Sequence, residues 1–153
     1  LNQIAEHKQF TAINSLKIER SVSRSAYLIN DQIAVFFKYA SKPSGRFKEY
    51  LFTFKRHQLL ELKKISKKHE KTHVALICVK DRVICCLSYD ELIDFFKKRR
   101  DSRGRAESQY TLLITVKHNE AFRVYVNDPG KKGQWLFKPK KIARNRFPRD
   151  IFR

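Results

Sequence analysis

The chain has 153 residues, 42% of them hydrophobic, the size and apolar content of one folded domain with a full core. Against 34 Lys and Arg stand 15 Asp and Glu, a net charge of +19, far beyond the magnitude of about 2–8 that solubility asks of a small domain. Four Gly and four Pro exclude a linker or low-complexity chain, and the charge excess calls for an acidic partner, nucleic acid first and an anionic membrane surface second.

Ile4, Phe10, Ile13 and Leu16 recur at roughly helical spacing, so residues 1–16 read as a helix and the polar stretch 17–24 as a loop. Two strands follow, "SAYLIND" and "QIAVFFKYA", joined by a tight turn at Asn30-Asp31. After the turn signals of "KPSGR", "EYLFTF" (49–54) reads as a third strand. Residues 55–71 are an expected amphipathic helix, with Leu59, Leu60, Leu62 and Ile65 inward and Lys63, Lys64, Lys67 and Lys68 largely opposite. The unbroken apolar run 73–79 predicts a strand buried on both faces, with helix 55–71 and a helix over 88–98 packed against its sheet. Lys80-Asp81 turns the chain into "RVICCL". Ser88 and Glu91 have capping-box spacing for the helix 88–98, which Gly104 ends. "YTLLITV" and "FRVYV" form a late hairpin across His118-Asn119, and "NDPGKKG" a loop. The order predicts an α/β or α+β domain, a single mixed β-sheet flanked by helices. The core spans about 1–127, and a basic, aromatic C-terminal arm, 128–153, packs back onto it.

Two basic clusters carry the strongest functional signal. "KKRRDSRGR" places Lys97, Lys98, Arg99, Arg100, Arg103 and Arg105 around one acid, Asp101. The arm adds Lys131, Lys132, Lys138, Lys140, Lys141, Arg144, Arg146 and Arg149. Each cation set near a phosphate releases counterions, and the planar fork of Arg suits phosphate or guanine. Arg interleaved with aromatic residues also suits stacking on unpaired bases. A charge run is as often a solvated face, but two clusters, a basic helix face and the net charge weigh toward binding.

A second constellation combines Asp31 at the hairpin turn, Lys38 on the returning strand and Gln58 on the next helix. With the order of elements over residues 1–98, it resembles the PD-(D/E)XK, or restriction-endonuclease-like, superfamily. The resemblance implies a restriction-endonuclease-like core and a Mg²⁺-dependent endonuclease. It makes Asp31 a metal ligand, Lys38 the lysine that positions the attacking water, Glu6 or Glu19 the helix carboxylate, and Gln58 an assisting residue. Phe36 stands two residues before Lys38, where the family has a second acid, and a phenyl ring cannot ligate a hard cation. Outside the resemblance, Asp31 reads as a turn residue and Lys38 as a strand-edge lysine reaching for water.

Other chemistry is weaker. His7, His57, His69, His73 and His118 have no metal-ligand spacing with the cysteines. Cys78, Cys85 and Cys86 sit in apolar runs and read as core thiols of a reducing, intracellular compartment rather than a disulfide framework. There is no glycine-rich phosphate loop. No stretch approaches the ~20 apolar residues that cross a bilayer, and no secretory leader is read at the start, where residue 1 is Leu. Two main readings follow: a DNA- or RNA-binding module, and a metal-dependent nuclease with an altered active site. A protein held on a membrane surface by its basic tail is a third.

Overall fold

This computed structural model describes residues 1–18 and 21–153, excepting the side chains of 17–18, 21–24, 132 and 133. Its centre is a five-stranded mixed sheet. Strands β1 (Ile13–Ile18), β2 (Ser21–Ile29) and β3 (Ile33–Ala40) run antiparallel in succession. Asn30 and Asp31, at φ 51° and 60°, make the tight β2–β3 turn; short polar side chains tolerate that left-handed backbone. Strand β4 (Tyr50–Lys55) leaves this sheet, helix α2 (Arg56–Lys68) follows, and β5 (Lys71–Cys78) returns parallel to β3. No tight turn joins parallel neighbours, which is why the chain spends β4 and α2 on the crossover. Strand β6 (Val83–Ser88) pairs antiparallel with β5 at the sheet edge.

Strand β5 is interior, as its apolar run requires. Val74, Leu76 and Cys78 face one core and Ala75 the other. Leu62 and Ile65 of α2 share the first core with Leu92, Phe95 and Phe96 of helix α3 (Tyr89–Arg103). Helix α3 starts at Ser88, whose Oγ accepts from the Glu91 N–H at 3.1 Å while Glu91 Oε1 accepts from the Ser88 N–H at 3.1 Å. It ends at Gly104, whose φ of 80° a side chain would resist.

The fold is mixed α+β, with a mixed sheet flanked by helices, as its element order predicts. A second sheet lies beyond the single one expected. Strands β7 (Gln109–Thr115) and β8 (Phe122–Tyr125) join β4 in an antiparallel sheet, completed by β11 (Lys140–Ile142) in the order β11-β8-β7-β4. Its Tyr50, Phe52, Phe54, Leu112, Ile114, Phe122, Val124 and Ile142 enter the first core. The "NDPGKKG" stretch, read as a loop, contains strand β9 (Asn127–Asp128) and the start of β10 (Lys131–Trp135), a two-stranded ribbon. Asp81 in the β5–β6 turn ties the two sheets together, since the buried Tyr50 hydroxyl donates to its carboxylate.

The N-terminal helix is a correction. Only Asn2–Ala5 is helical, as α1, and Ile13–Ile18 is strand β1. The segment read as the loop 17–24 continues β1 and begins β2, residues 19 and 20 lying outside the described chain. Asn30 holds this approach in place. Its Oδ1 accepts from the Thr11 N–H at 2.7 Å, the Thr11 hydroxyl at 2.9 Å and the Ala12 N–H at 3.2 Å, and its Nδ2 donates to the Gln9 carbonyl at 2.9 Å. The second face of the central sheet is covered by both ends of the chain. Ile4 of α1 packs there with Phe147 of helix α4 (Arg146–Arg149) and Ile151 of the 3-10 turn Asp150–Phe152. His7 stacks on Phe152 with centroids 4.2 Å apart. Residues 128–153 therefore supply both a strand and a core layer.

Candidate nucleic-acid interface

The basic residues singled out from the sequence divide into two groups. Some are committed to the fold. Arg99 grips Glu107 with both arms of its fork, Nε to Oε1 at 2.7 Å and Nη2 to Oε2 at 3.1 Å, and Nη1 donates to the Asn127 carbonyl at 2.6 Å. The hydrogen bonds from Arg99 hold the Glu107 carboxyl below the usual range, against the opposing pull of burial. Arg146 Nη1 lies 2.6 Å from Glu91 Oε1, and Lys140 Nζ 2.8 Å from Glu91 Oε2. Burial alone would raise the Glu91 pKa, but hydrogen bonds from Lys140, Arg146 and the Ser88 N–H outweigh it and bring the group to about 2. Arg144 donates from Nε to the Glu120 carbonyl at 2.6 Å and from Nη2 to the Lys117 carbonyl, with its guanidinium over the Phe122 ring. Arg149 pairs with Asp150 at 3.1 Å and Lys131 with Asp128 at 3.5 Å. Arg99, Lys140, Arg144 and Arg146 staple the C-terminal segment and the β9–β10 ribbon to the helices and strands beside them, while the exposed Arg149 and Lys131 pair only with near neighbours in sequence.

The others face outward. Lys97, Arg100, Arg103, Arg105, Lys138 and Lys141 are exposed, and among the described residues none has an ion-pair partner within 4 Å. Lys98 is exposed too, pairs with Asp94 at 3.1 Å and lies over the Phe137 ring at 4.5 Å. Five of these cations, Lys97, Lys98, Arg100, Arg103 and Arg105, project from the last turns of α3 and the residues just after it. On α2, Lys63, Lys67 and Lys68 are exposed on the face opposite Leu62 and Ile65. The side chain of Lys132 lies outside the described residues.

The residues implied by the nuclease resemblance do not all come together. Lys38 points from β3 into the junction of the two sheets. Its Nζ donates to Gln58 Oε1 at 3.3 Å and sits 5.1 Å from the centre of the Phe54 ring. Burial, and then the neighbouring Lys55, lower the Lys38 pKa. Gln58 Oε1 also accepts the Lys55 N–H at 2.9 Å, capping the start of α2. Asp31 lies at the other end of β3, a correction to the common site that the resemblance implies for it and Lys38. The five steps along the strand from Ile33 to Lys38 alone extend about 17 Å, and Asp31 instead accepts from Asn14 Nδ2 at 3.2 Å. Glu6 is exposed after α1, and Glu19 lies outside the described residues.

Phe36 is buried in the first core, where its ring packs and no ligand is offered. Among the described residues, no group of three or more His, Cys, Asp or Glu is placed to hold a metal ion. Asp31, Lys38 and Gln58 thus do not fit the Mg²⁺ that the resemblance implies. The three thiols are free and buried, and burial pushes Cys78 and Cys86 up to about 12, which makes them poor nucleophiles. Among the described residues no helix is long and apolar enough to cross a membrane.

Sequence reasoning missed one feature of this surface. Phe47 and Trp135, 58% and 56% exposed, line one cleft with the buried carboxylate of Glu49. The signal in the sequence was limited to Trp135 among the aromatic residues of the basic arm. Comparison with protein-family models, with curated proteins and with solved structures finds no match.

Proposed function

We propose that this domain binds nucleic acid through phosphate contacts from its outward-facing Lys and Arg side chains. One observation carries the reading. With 34 Lys and Arg and 15 Asp and Glu, a one-to-one pairing of every acid leaves 19 cations without one. The pairing in the fold is more uneven still, because Glu91 alone takes Lys140 and Arg146. Seven of the exposed cations, Lys63, Lys67, Lys68, Lys97, Arg100, Arg103 and Arg105, form two groups, on the outer face of α2 and at the end of α3. Like charges so close repel one another, and a phosphate backbone relieves that repulsion while releasing its own counterions.

The experiment is a salt titration of binding to labelled single- and double-stranded DNA and RNA. Affinity falls steeply as salt rises, with a slope of about −0.7 to −0.9 per phosphate engaged. No binding at low salt to any of the four, or binding only to anionic vesicles, overturns the reading.

A second reading, a divalent-metal-dependent nuclease with an altered site, has one observation in its favour: the contact between Lys38 and Gln58. The same labelled nucleic acids, incubated with Mg²⁺ or Mn²⁺ and with chelator, decide it. Metal-dependent cleavage that Lys38→Ala slows, with binding retained, supports catalysis. Intact nucleic acid under every condition leaves binding as the function.

A further inference from the structure

The cleft beside Trp135 has the chemistry of a site for one base. Phe47 comes from the loop before β4, which a bridge between Ser44 and Glu49 closes. Glu49 directly precedes β4. Thr115 ends β7, Arg123 and Tyr125 come from β8, and Trp135 ends β10; Lys117 and Pro139 complete the lining of a cavity of about 300 Å³. That is the low end of small-ligand pockets, about 300–1,000 Å³, and suits a single planar ring system rather than a duplex.

The walls are aromatic. Trp135 meets Tyr125 edge-on with centroids 6.4 Å apart, which leaves more than half of its surface open. A buried acceptor lines the cleft. Glu49 is only 6% exposed, and among the described residues it has no ion-pair partner within 4 Å in a chain rich in cations. Its contacts are the Thr115 hydroxyl, at a long 3.5 Å, and the Tyr125 hydroxyl, whose pKa is raised by burial and then by this carboxylate. A carboxylate has about four lone-pair sites, so among the described residues roughly two are unused. Lys117 and Arg123 add positive charge to the same lining.

We propose that this cleft takes one unpaired guanine of a single-stranded nucleic acid. The inference rests on the nucleic-acid reading and gives it a base preference. Phe47 and Trp135 stack on the ring, which every base permits. Glu49 makes the choice. Guanine alone presents two adjacent donors, N1–H and the 2-amino group, to the two oxygens of a carboxylate. Adenine and cytosine set a ring-nitrogen acceptor beside their amino group, and thymine flanks its N3–H with two carbonyls; each turns lone pairs toward those of Glu49. The guanine edge is free only when the base is unpaired, and Lys117 and Arg123 then serve the adjoining phosphates.

Trp135 is the only tryptophan in the chain, so intrinsic fluorescence reports on the cleft directly. The probes are short oligothymidylates carrying one central dG, dA, dC or abasic site, followed by Trp135 fluorescence and by the anisotropy of a label on the oligonucleotide. The dG probe is expected to quench Trp135 and to bind about tenfold more tightly than the abasic one, the scale of one stacked base. Glu49→Gln reduces the preference of dG over dA to below about twofold and leaves duplex affinity unchanged. Phe47→Ala weakens the dG probe more than the abasic one, and if circular dichroism shows Glu49→Gln unfolded, the parent's affinities for the dG and dA probes decide, equal values overturning the guanine site. Equal affinity for dG and abasic probes, or a dG preference that survives Glu49→Gln in a folded protein, overturns the guanine site while duplex binding upholds the wider reading. Failure of all probes and all duplexes at low salt overturns both.

Discussion

Lys38 of β3 and Gln58 of α2, 20 residues apart in the chain, meet at a single oxygen, Gln58 Oε1, with Lys38 Nζ at 3.3 Å. The same oxygen receives the Lys55 N–H at 2.9 Å and so closes the first turn of the helix. The pair therefore joins the two sheets' junction to the start of α2. Gln58→Ala is expected to cost about 1 kcal/mol in urea unfolding through loss of the cap. Gln58→Glu keeps the cap, offers Lys38 a counter-charge and should be at least as stable as the parent.

Lys38 also sets a pH dependence. Burial and Lys55 lower its pKa below 10.5 in the folded protein. In the window between that lowered value and 10.5 the unfolded chain binds more protons, so this group makes stability rise with pH there. Below the window it opposes folding. Lys38→Met should therefore be most stabilised relative to the parent at neutral pH, with the gap closing toward pH 10.5. A gap that widens with pH in chemical denaturation would contradict this assignment.

Arg99 and its neighbours should separate cleanly. Charge reversal of Lys97, Arg100, Arg103 and Arg105 to Glu is expected to flatten the salt dependence of nucleic-acid binding and to leave the fold intact, because these side chains are exposed. Arg99→Ala removes a bidentate partner from Glu107 and a donor from the Asn127 carbonyl. It should cost about 1–3 kcal/mol in stability and change the salt slope little. An unchanged slope in the fourfold variant would make this cluster a solvated face.

Glu91 is the acid that fastens α3 to the C-terminal segment. Its folded pKa of about 2 lies below the ordinary 4.5. The contribution is thus complete above pH 4.5 and is lost as pH falls toward 2. After allowance for solvent screening, Glu91→Gln should lower stability by about 1–2 kcal/mol at pH 7. Unfolding midpoints of parent and variant should converge as the medium is acidified through that interval.

Asn30 and Asp31 share a turn but not a burden. Asn30 makes four hydrogen bonds to the segment 9–12, and its replacement by Ala should cost about 2–3 kcal/mol. Among the described residues Asp31 makes one exposed hydrogen bond, to Asn14, and Asp31→Ala should fall within about 0.5 kcal/mol of the parent. Thermal unfolding of the two variants gives the comparison.

Several elements were legible because their causes are local. The apolar run of β5, the Asn30-Asp31 turn, the Ser88–Glu91 box and the Gly104 stop each depend on neighbours a few residues away. The N-terminal segment shows the limit. Ile4, Phe10, Ile13 and Leu16 fit a helical period, yet Ile4, Phe10 and Ile13 pack on one face of the central sheet while Leu16 enters the core on the other. A one-dimensional pattern records that these residues are buried, not that they serve two faces.

The same division holds for function. The chain by itself determined the charge excess, since a count of Lys, Arg, Asp and Glu needs no geometry, and with it the expectation of an acidic partner. Only the tertiary structure decided how each cation is used. Arg99 and Arg100 are equivalent on paper, but the fold sets Glu107 against the first and leaves the second exposed. Likewise Lys38 and Asp31 are seven positions apart in a suggestive motif, and the straightness of a β-strand carries them to opposite ends of the sheet. Phe47 and Glu49, two residues apart, had no relation in the sequence to Trp135. The pairing of β4, β7 and β8 and the path of β10 brought two aromatic side chains and a buried carboxylate to one cleft, because strand pairing, unlike composition, joins residues at any separation along the chain.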